Sequence, residues 1–204
     1  MSASHAVSQD AHWGGGVSPY AATWQKTMMW IFIVTDALLF SGLLSGYAFL
    51  RQSIPSPWPR QSEVFSIPFI ALMTFILITS SMTMGTAVTA ARLGDRKKAL
   101  RNLIFTIIGG LAFLGCQARE WTELIHEGAR LHSNPWGPPQ FGQAFFVLTG
   151  FHGSHVISGL VILIVTAIRT AMGKTPAQGV EMAGLYWHFV DLVWVFIFTL
   201  FYLL

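Results

Sequence analysis

The sequence predicts an all-α integral membrane protein, a bundle of five transmembrane helices with the N-terminus in the cytoplasm and the C-terminus outside. Three observations predict it. Of 204 residues, 53% are hydrophobic and only 10% are charged. Soluble domains carry roughly 25% charged residues, so these polar groups cannot cover a water-exposed surface. Five apolar segments, at about 28–50, 65–91, 102–124, 141–168 and 182–204, each approach the roughly 20 residues that cross about 30 Å of hydrocarbon. Hydrocarbon offers the backbone no hydrogen-bond partners, so the segments must be helical. Five crossings then put the N-terminal tail, the 92–101 loop and the 169–181 loop on one side. That side holds Lys26, Arg92, Arg96, Lys97, Lys98, Arg101, Arg169 and Lys174, against Arg51, Arg60, Arg119 and Arg130 opposite, and the richer side is the cytoplasmic one.

A net charge of +3 and a pI near 9.3 would suggest nucleic acid if the positives formed a patch. They sit instead in short loops between apolar segments, where they set orientation. The chain has no GxxxxGK[ST], no GxGxxG, no sustained repeat and no Cys/His cluster at metal spacing. Nucleotide and nucleic-acid functions drop out, and the five segments leave no room for a soluble catalytic domain. Cys116 is the only cysteine and lies inside an apolar run, so neither a disulfide nor a CxxC redox site is available.

Residues 1–27 read as a polar tail with Gly14 to Gly16 at its centre, without a period that buries a face, so it orders only against a partner. His5 and His12 in it are expected to be solvated. The start lacks a short apolar stretch followed by a small-residue cleavage site, so no removed signal peptide is expected. Residues 28–204 form the transmembrane domain.

The first segment, IFIVTDALLFSGLLSGYAF, carries Asp36 about nine residues in, roughly 13 Å from the cytoplasmic end at 1.5 Å per residue. So short a side chain cannot reach water, and its carboxyl is either protonated or paired. It either exchanges protons or contacts a lipid headgroup, or it donates a single interhelical hydrogen bond. The third segment has only 14 apolar residues from Leu103 to Cys116. It spans only if Gln117, Arg119 and Glu120 enter the bundle, and an even helix count would spoil the charge pattern. Glu120, Glu123 and Glu127 recur at i, i+3, i+7. Glu123 and Glu127 are expected to face water, and Glu120 to be buried and paired with Arg119 or with a histidine across the bundle. The intervening loops PSPWP and NPWGPP should be stiff, with Trp58 and Trp136 at the membrane interface.

The fourth segment places His152 and His155 in the bilayer. With Leu148 and Gly159 they share one helical stripe, so both imidazoles are expected to point the same way, with Gly150, Gly153 and Gly159 allowing close helix contact. Either the two rings are neutral and hydrogen-bonded across the bundle, or they begin a metal or haem site, for which they supply only two ligands. In the last segment His188 and Asp191 stand one turn apart, on a face with Trp187, Trp194, Val195, Phe198 and Tyr202. The imidazole can donate to the carboxylate as a structural latch or act with it as a catalytic pair. Arg169 ends the fourth helix, where it suits a lipid phosphate or serves only as an orientation charge. No residue is assigned as catalytic or as a metal ligand.

The run FGQAFFVLTGFHGSHVISG (Phe141 to Gly159) followed by YWHFVDLVW (Tyr186 to Trp194) resembles subunit III of the haem–copper oxidases, as found in cytochrome c oxidase and quinol oxidase. TDALLFSGL around Asp36 is similar to the family's acidic helix, where a glutamate is usual. Gln117 to Trp121 is similar to its Gln-Ala-x-Glu-aromatic segment. Together these cover most of Met28 to Leu204. The chain resembles the shorter five-helix form, without the two helices that make one arm of a V-shaped lipid cleft in longer members. The resemblance implies a chain with no haem or copper of its own, beside subunit I and with subunit II in a bacterial plasma membrane, open to a larger respiratory supercomplex. It implies support of proton uptake, protection of subunit I from inactivation during turnover, and bound phospholipid. The accessory subunit of nitric oxide reductase is a related possibility. Two other classes compete: a proton-coupled transporter with a relay through Asp36, His152, His155, His188 and Asp191, which should show broken helices, and a two-haem membrane cytochrome, which needs axial histidines paired across helices.

Overall fold

The computed structural model describes residues 23–54 and 58–203. The helices are α1 (Trp24–Ser53), the four-residue α2 (Gln61–Val64), α3 (Ile67–Arg92), α4 (Arg96–His126), α5 (Pro139–Ala171) and α6 (Ala177–Ile197), which runs on through π-type turns at Phe198–Leu203. Five of them are long and apolar enough to cross a membrane: α1, α3, α4, α5, and α6 with its extension. The protein is an all-helical, multi-pass membrane protein.

Except α3, which starts two residues inside its expected stretch, each long helix begins before its apolar segment, because water satisfies a projecting end as well as a loop would. The 14-residue apolar core of the third segment sits inside a continuous 31-residue helix, about 46 Å long at 1.5 Å per residue. Gln117 and Glu120 are buried there, but Arg119 stays exposed and pairs with Glu123 at 2.8 Å, so it does not enter the bundle. The expected tail lies largely outside the described residues, as do His5 and His12. Its last residues, from Trp24, are already helical, with the Thr23 hydroxyl accepting from the Lys26 amide. Between α3 and α4 only Leu93, Gly94 and Asp95 intervene. Gly94 takes φ +77°, which a side chain would strain, and the Asp95 carboxylate accepts from the Lys98 amide at 3.0 Å to start α4.

The central element is α6, which packs on α1, α3 and α5. Its Trp187 ring fills a slot left by glycines: a Cβ at Gly110 would lie 2.6 Å from that ring, and one at Gly159 would lie 3.0 Å away. Without a hydrophobic force between helices in lipid, such close fits supply the packing energy. At the end remote from the basic loops, Phe65, Phe141, Phe145, Phe201 and Tyr202 form a ring cluster with centroids 4.8–6.4 Å apart. It pins the C-terminal turns. By contrast α1 packs mainly on α6 and, less, on α5, and 11% of its most apolar stretch is buried against 50% for α6. Its free face meets lipid or another chain.

Candidate functional site: polar groups paired inside the bundle

Asp36 projects from α1 toward α5, where its Oδ2 lies 3.3 Å from His155 Nε2, both side chains being largely buried. His155 Nδ1 lies 2.8 Å from the Phe151 carbonyl oxygen. A carbonyl only accepts, so Nδ1 carries a hydrogen, and Nε2 is the ring nitrogen that faces the carboxyl. Phe40 stands edge-on over the His155 ring at 5.2 Å and shields the pair from lipid.

His152 is fully buried and turns elsewhere. Its Nε2 donates to the Val190 carbonyl of α6 at 3.1 Å, and its ring is held between Phe113 and Trp194. The expectation that both imidazoles point the same way is therefore corrected. An i, i+3 step leaves about 60° between side chains, enough for α6 to take one ring and α1 the other.

His188, expected inside beside Asp191, is exposed on the chain's own surface. Its Nδ1 lies 2.6 Å from Ser81 Oγ of α3, and the same hydroxyl faces the buried Asp191. The two do not bond directly: His188 turns to Ser81, whose hydroxyl also neighbours Asp191. Intramembrane hydrogen bonds average about 0.6 kcal/mol. Ser81→Ala should cost about that in thermal unfolding, and Asp191→Ala should cost less on the Ser81→Ala background than alone. Equal costs in both backgrounds would show that the serine does not connect them.

Glu120 is partnered neither by Arg119 nor by a histidine. Gln117 Nε2 donates to its Oε2 at 2.9 Å, and the Tyr202 hydroxyl donates to the same oxygen at 3.1 Å. Tyr202 already stood on the polar face of the last segment, but its partner was hidden by 82 residues of separation. Sequence reasoning also missed the hydroxyl ladder of α3, which reads as plain apolar helix. Thr74 and Ser80 accept from the indoles of Trp194 and Trp187 at 2.9 and 3.1 Å, and Thr83 meets Thr106 at 2.8 Å. The repeated Ser and Thr every three or four residues was the available signal.

At the basic end, Glu181 joins three helices, with Lys26 at 2.7 Å and Arg92 at 3.0 Å. Arg96 Nε donates to the Thr170 carbonyl at 2.6 Å, and Arg169 is exposed. Between α1 and α6 runs an open apolar groove of about 290 Å³, with Ser41, Phe189 and Phe196 in its walls. Among the described residues no three His, Cys, Asp or Glu side chains converge as a metal site.

The sequence model of the family described as Cytochrome c oxidase subunit III matches residues 4–204. The chain belongs to the cytochrome c oxidase subunit III family. It is 38% identical over 178 residues to the quinol oxidase subunit 3 of Bacillus spizizenii, covering 86% of this chain and 84% of that one. The cytochrome c oxidase subunit 3 of Bacillus sp. (strain PS3) is 35% identical, at 86% and 83% coverage. The cytochrome bo(3) ubiquinol oxidase subunit 3 of Pseudomonas aeruginosa is 33% identical over 208 residues, at 98% and 92% coverage. As an oxidase subunit III, the protein associates with other oxidase subunits. Relatives named as quinol oxidase and as cytochrome c oxidase subunits match it about equally well.

Proposed function

We propose that this subunit III is a non-catalytic component that sits directly against subunit I of a bacterial plasma-membrane terminal oxidase, with subunit II in the same complex and the basic loops in the cytoplasm. Cytochrome c oxidase is the favoured complex; a quinol oxidase is the alternative. In this role it supports proton uptake and keeps the dioxygen-reducing site of subunit I from inactivating, while haem and copper reside in the partner chains. One observation carries the reading: each imidazole is oriented by a protein group, His152 by Val190 and His155 by Phe151 and Asp36 inside the bundle, and the exposed His188 by Ser81. Rings turned in this way toward different helices hold those helices together, and among the described residues they do not converge as a ligand set. The similar identity to quinol-oxidase and cytochrome-c-oxidase relatives supports recognition of the electron donor by another subunit.

The test compares complex with and without this chain. Complex lacking it should start turnover at a near-normal rate and then lose activity faster, with slower proton uptake. An initial rate lower by orders of magnitude would overturn the supporting role. The isolated chain should retain no stoichiometric haem or copper through chelation, and one retained equivalent would overturn that part.

Phospholipid belongs to the same proposal. Arg169 ends α5 exposed at the basic rim, where a guanidinium can grip a phosphate in bidentate fashion. Arg169→Ala should lower the phospholipid retained after extensive washing. Unchanged retention would leave Arg169 as an orientation charge only.

A further inference from the structure

In the half of the bundle remote from the basic loops, Gln117, Glu120 and Tyr202 leave an accounting problem. Both available donors, the Gln117 amide and the Tyr202 hydroxyl, converge on one carboxyl oxygen, Oε2. The other oxygen, Glu120 Oε1, is buried without a partner, and so is the carbonyl oxygen of Gln117. Gln117 and Glu120 are 6% and 5% exposed, and Tyr202 is 1% exposed. Among the described residues no cation pairs with Glu120. The nearest positive charge on its own helix, Arg119, faces outward, held by Glu123 and stacked on the Phe69 ring at 5.1 Å. The ionisable groups that act on Glu120 are Tyr202 from the C-terminal turns and Glu123 from α4. The α5 residue near Tyr202 is the apolar Phe145.

Two unpartnered acceptors in one pocket are both satisfied by a single proton. A carboxylic acid and a primary amide form a closed pair, in which the amide N–H donates to the acid carbonyl and the acid O–H donates to the amide carbonyl. The first of these bonds is the one from Gln117 Nε2 to Glu120 Oε2, and the orphaned oxygens are the two atoms that the second would join. A bare carboxylate would instead be an unpaired charge in a membrane-spanning helix, with nothing donating to Oε1.

We propose that Gln117, Glu120 and Tyr202 form a proton-binding site, in which Glu120 is held as the neutral acid, its O–H donated to the Gln117 carbonyl and its own carbonyl capped by the Tyr202 hydroxyl. The proton also fastens the C-terminal turns to α4, because Tyr202 sits on the π-type segment Phe198–Leu203. This site lies wholly within the chain and does not depend on the proposed function.

Infrared spectroscopy of the purified oxidase complex at neutral pH tests it. The wild-type spectrum should contain a protonated-carboxyl C=O band that is absent in Glu120→Gln and persists in Asp36→Asn. In Tyr202→Phe the band should move to higher frequency, since the carbonyl loses a hydrogen bond. Glu120→Gln should leave thermal unfolding close to wild type, because its NH₂ can donate where the acid did. A difference spectrum in which Glu120→Gln removes carboxylate bands and no acid band would overturn the proposal and assign a water molecule to the two oxygens. If Glu120→Gln fails to assemble, the Tyr202→Phe spectrum decides, and an acid region unchanged by that substitution overturns it equally.

Discussion

Trp187→Ala is expected to be among the most disruptive single substitutions in the bundle, lowering stability by about 3–5 kcal/mol, the range for truncating a buried Trp. The ring is 1% exposed and reaches α4 and α5 at positions where both have glycine. Gly110 and Gly159 carry no side chain that could swing into the vacated space, so the cavity stays open instead of collapsing. The indole also donates to Ser80 Oγ at 3.1 Å, a bond worth on the order of 1 kcal/mol that is lost as well. The measurement is thermal unfolding of the purified complex, with Gly110→Ala as the companion. In wild type the new methyl would sit 2.6 Å from the Trp187 ring and should cost about 1–3 kcal/mol through overpacking. On the Trp187→Ala background the cost should fall to that of the remaining 2.8 Å approach to Leu160 Cδ2, the end of a flexible side chain. A Trp187→Ala loss below about 1 kcal/mol, or equal Gly110→Ala costs in both backgrounds, would show that α6 is not seated by this ring.

Asp36→Ala and His155→Ala should each destabilise the bundle by about 3 kcal/mol, because removing one partner of a buried pair leaves the other uncompensated. The double substitution should fall short of the sum by about 0.5–3 kcal/mol, the usual coupling between residues in contact. With the His155 Nδ1 hydrogen committed to Phe151 at 2.8 Å, removing either side chain leaves the other without the group it faces across α1 and α5. The consequence should appear first as weaker attachment of α1, which packs mainly on α6 and α5. Oxidase that still assembles should begin turnover near the normal rate and lose activity faster. Strictly additive costs for the two single substitutions would mean that the 3.3 Å approach carries no energy.

Much of this molecule was legible in the sequence because membranes impose local rules. Length and apolarity gave four spans outright, since a backbone in hydrocarbon must satisfy itself within one helix, and the loop charges supplied the fifth, whose apolar run is only 14 residues, together with an orientation. The motifs around His152, His155, His188 and Asp191 were enough to suggest the family, because ionisable residues at those depths are rare. Which partner each one meets was not legible. His152 and His155 share a stripe on paper, yet α6 claims one ring and α1 the other. His188 and Asp191 look like a direct pair, yet a serine from α3 stands between them. Glu120 was expected to find a base and instead meets an amide one turn away and a tyrosine from the end of the chain. Helical periodicity tells only which side of its own helix a residue occupies. The identity of the neighbour depends on how closely helices approach, and that was set by glycines at 110 and 159 accepting one indole and by hydroxyls on α3 that read as filler. Those are long-range fits, and only the tertiary structure decides them.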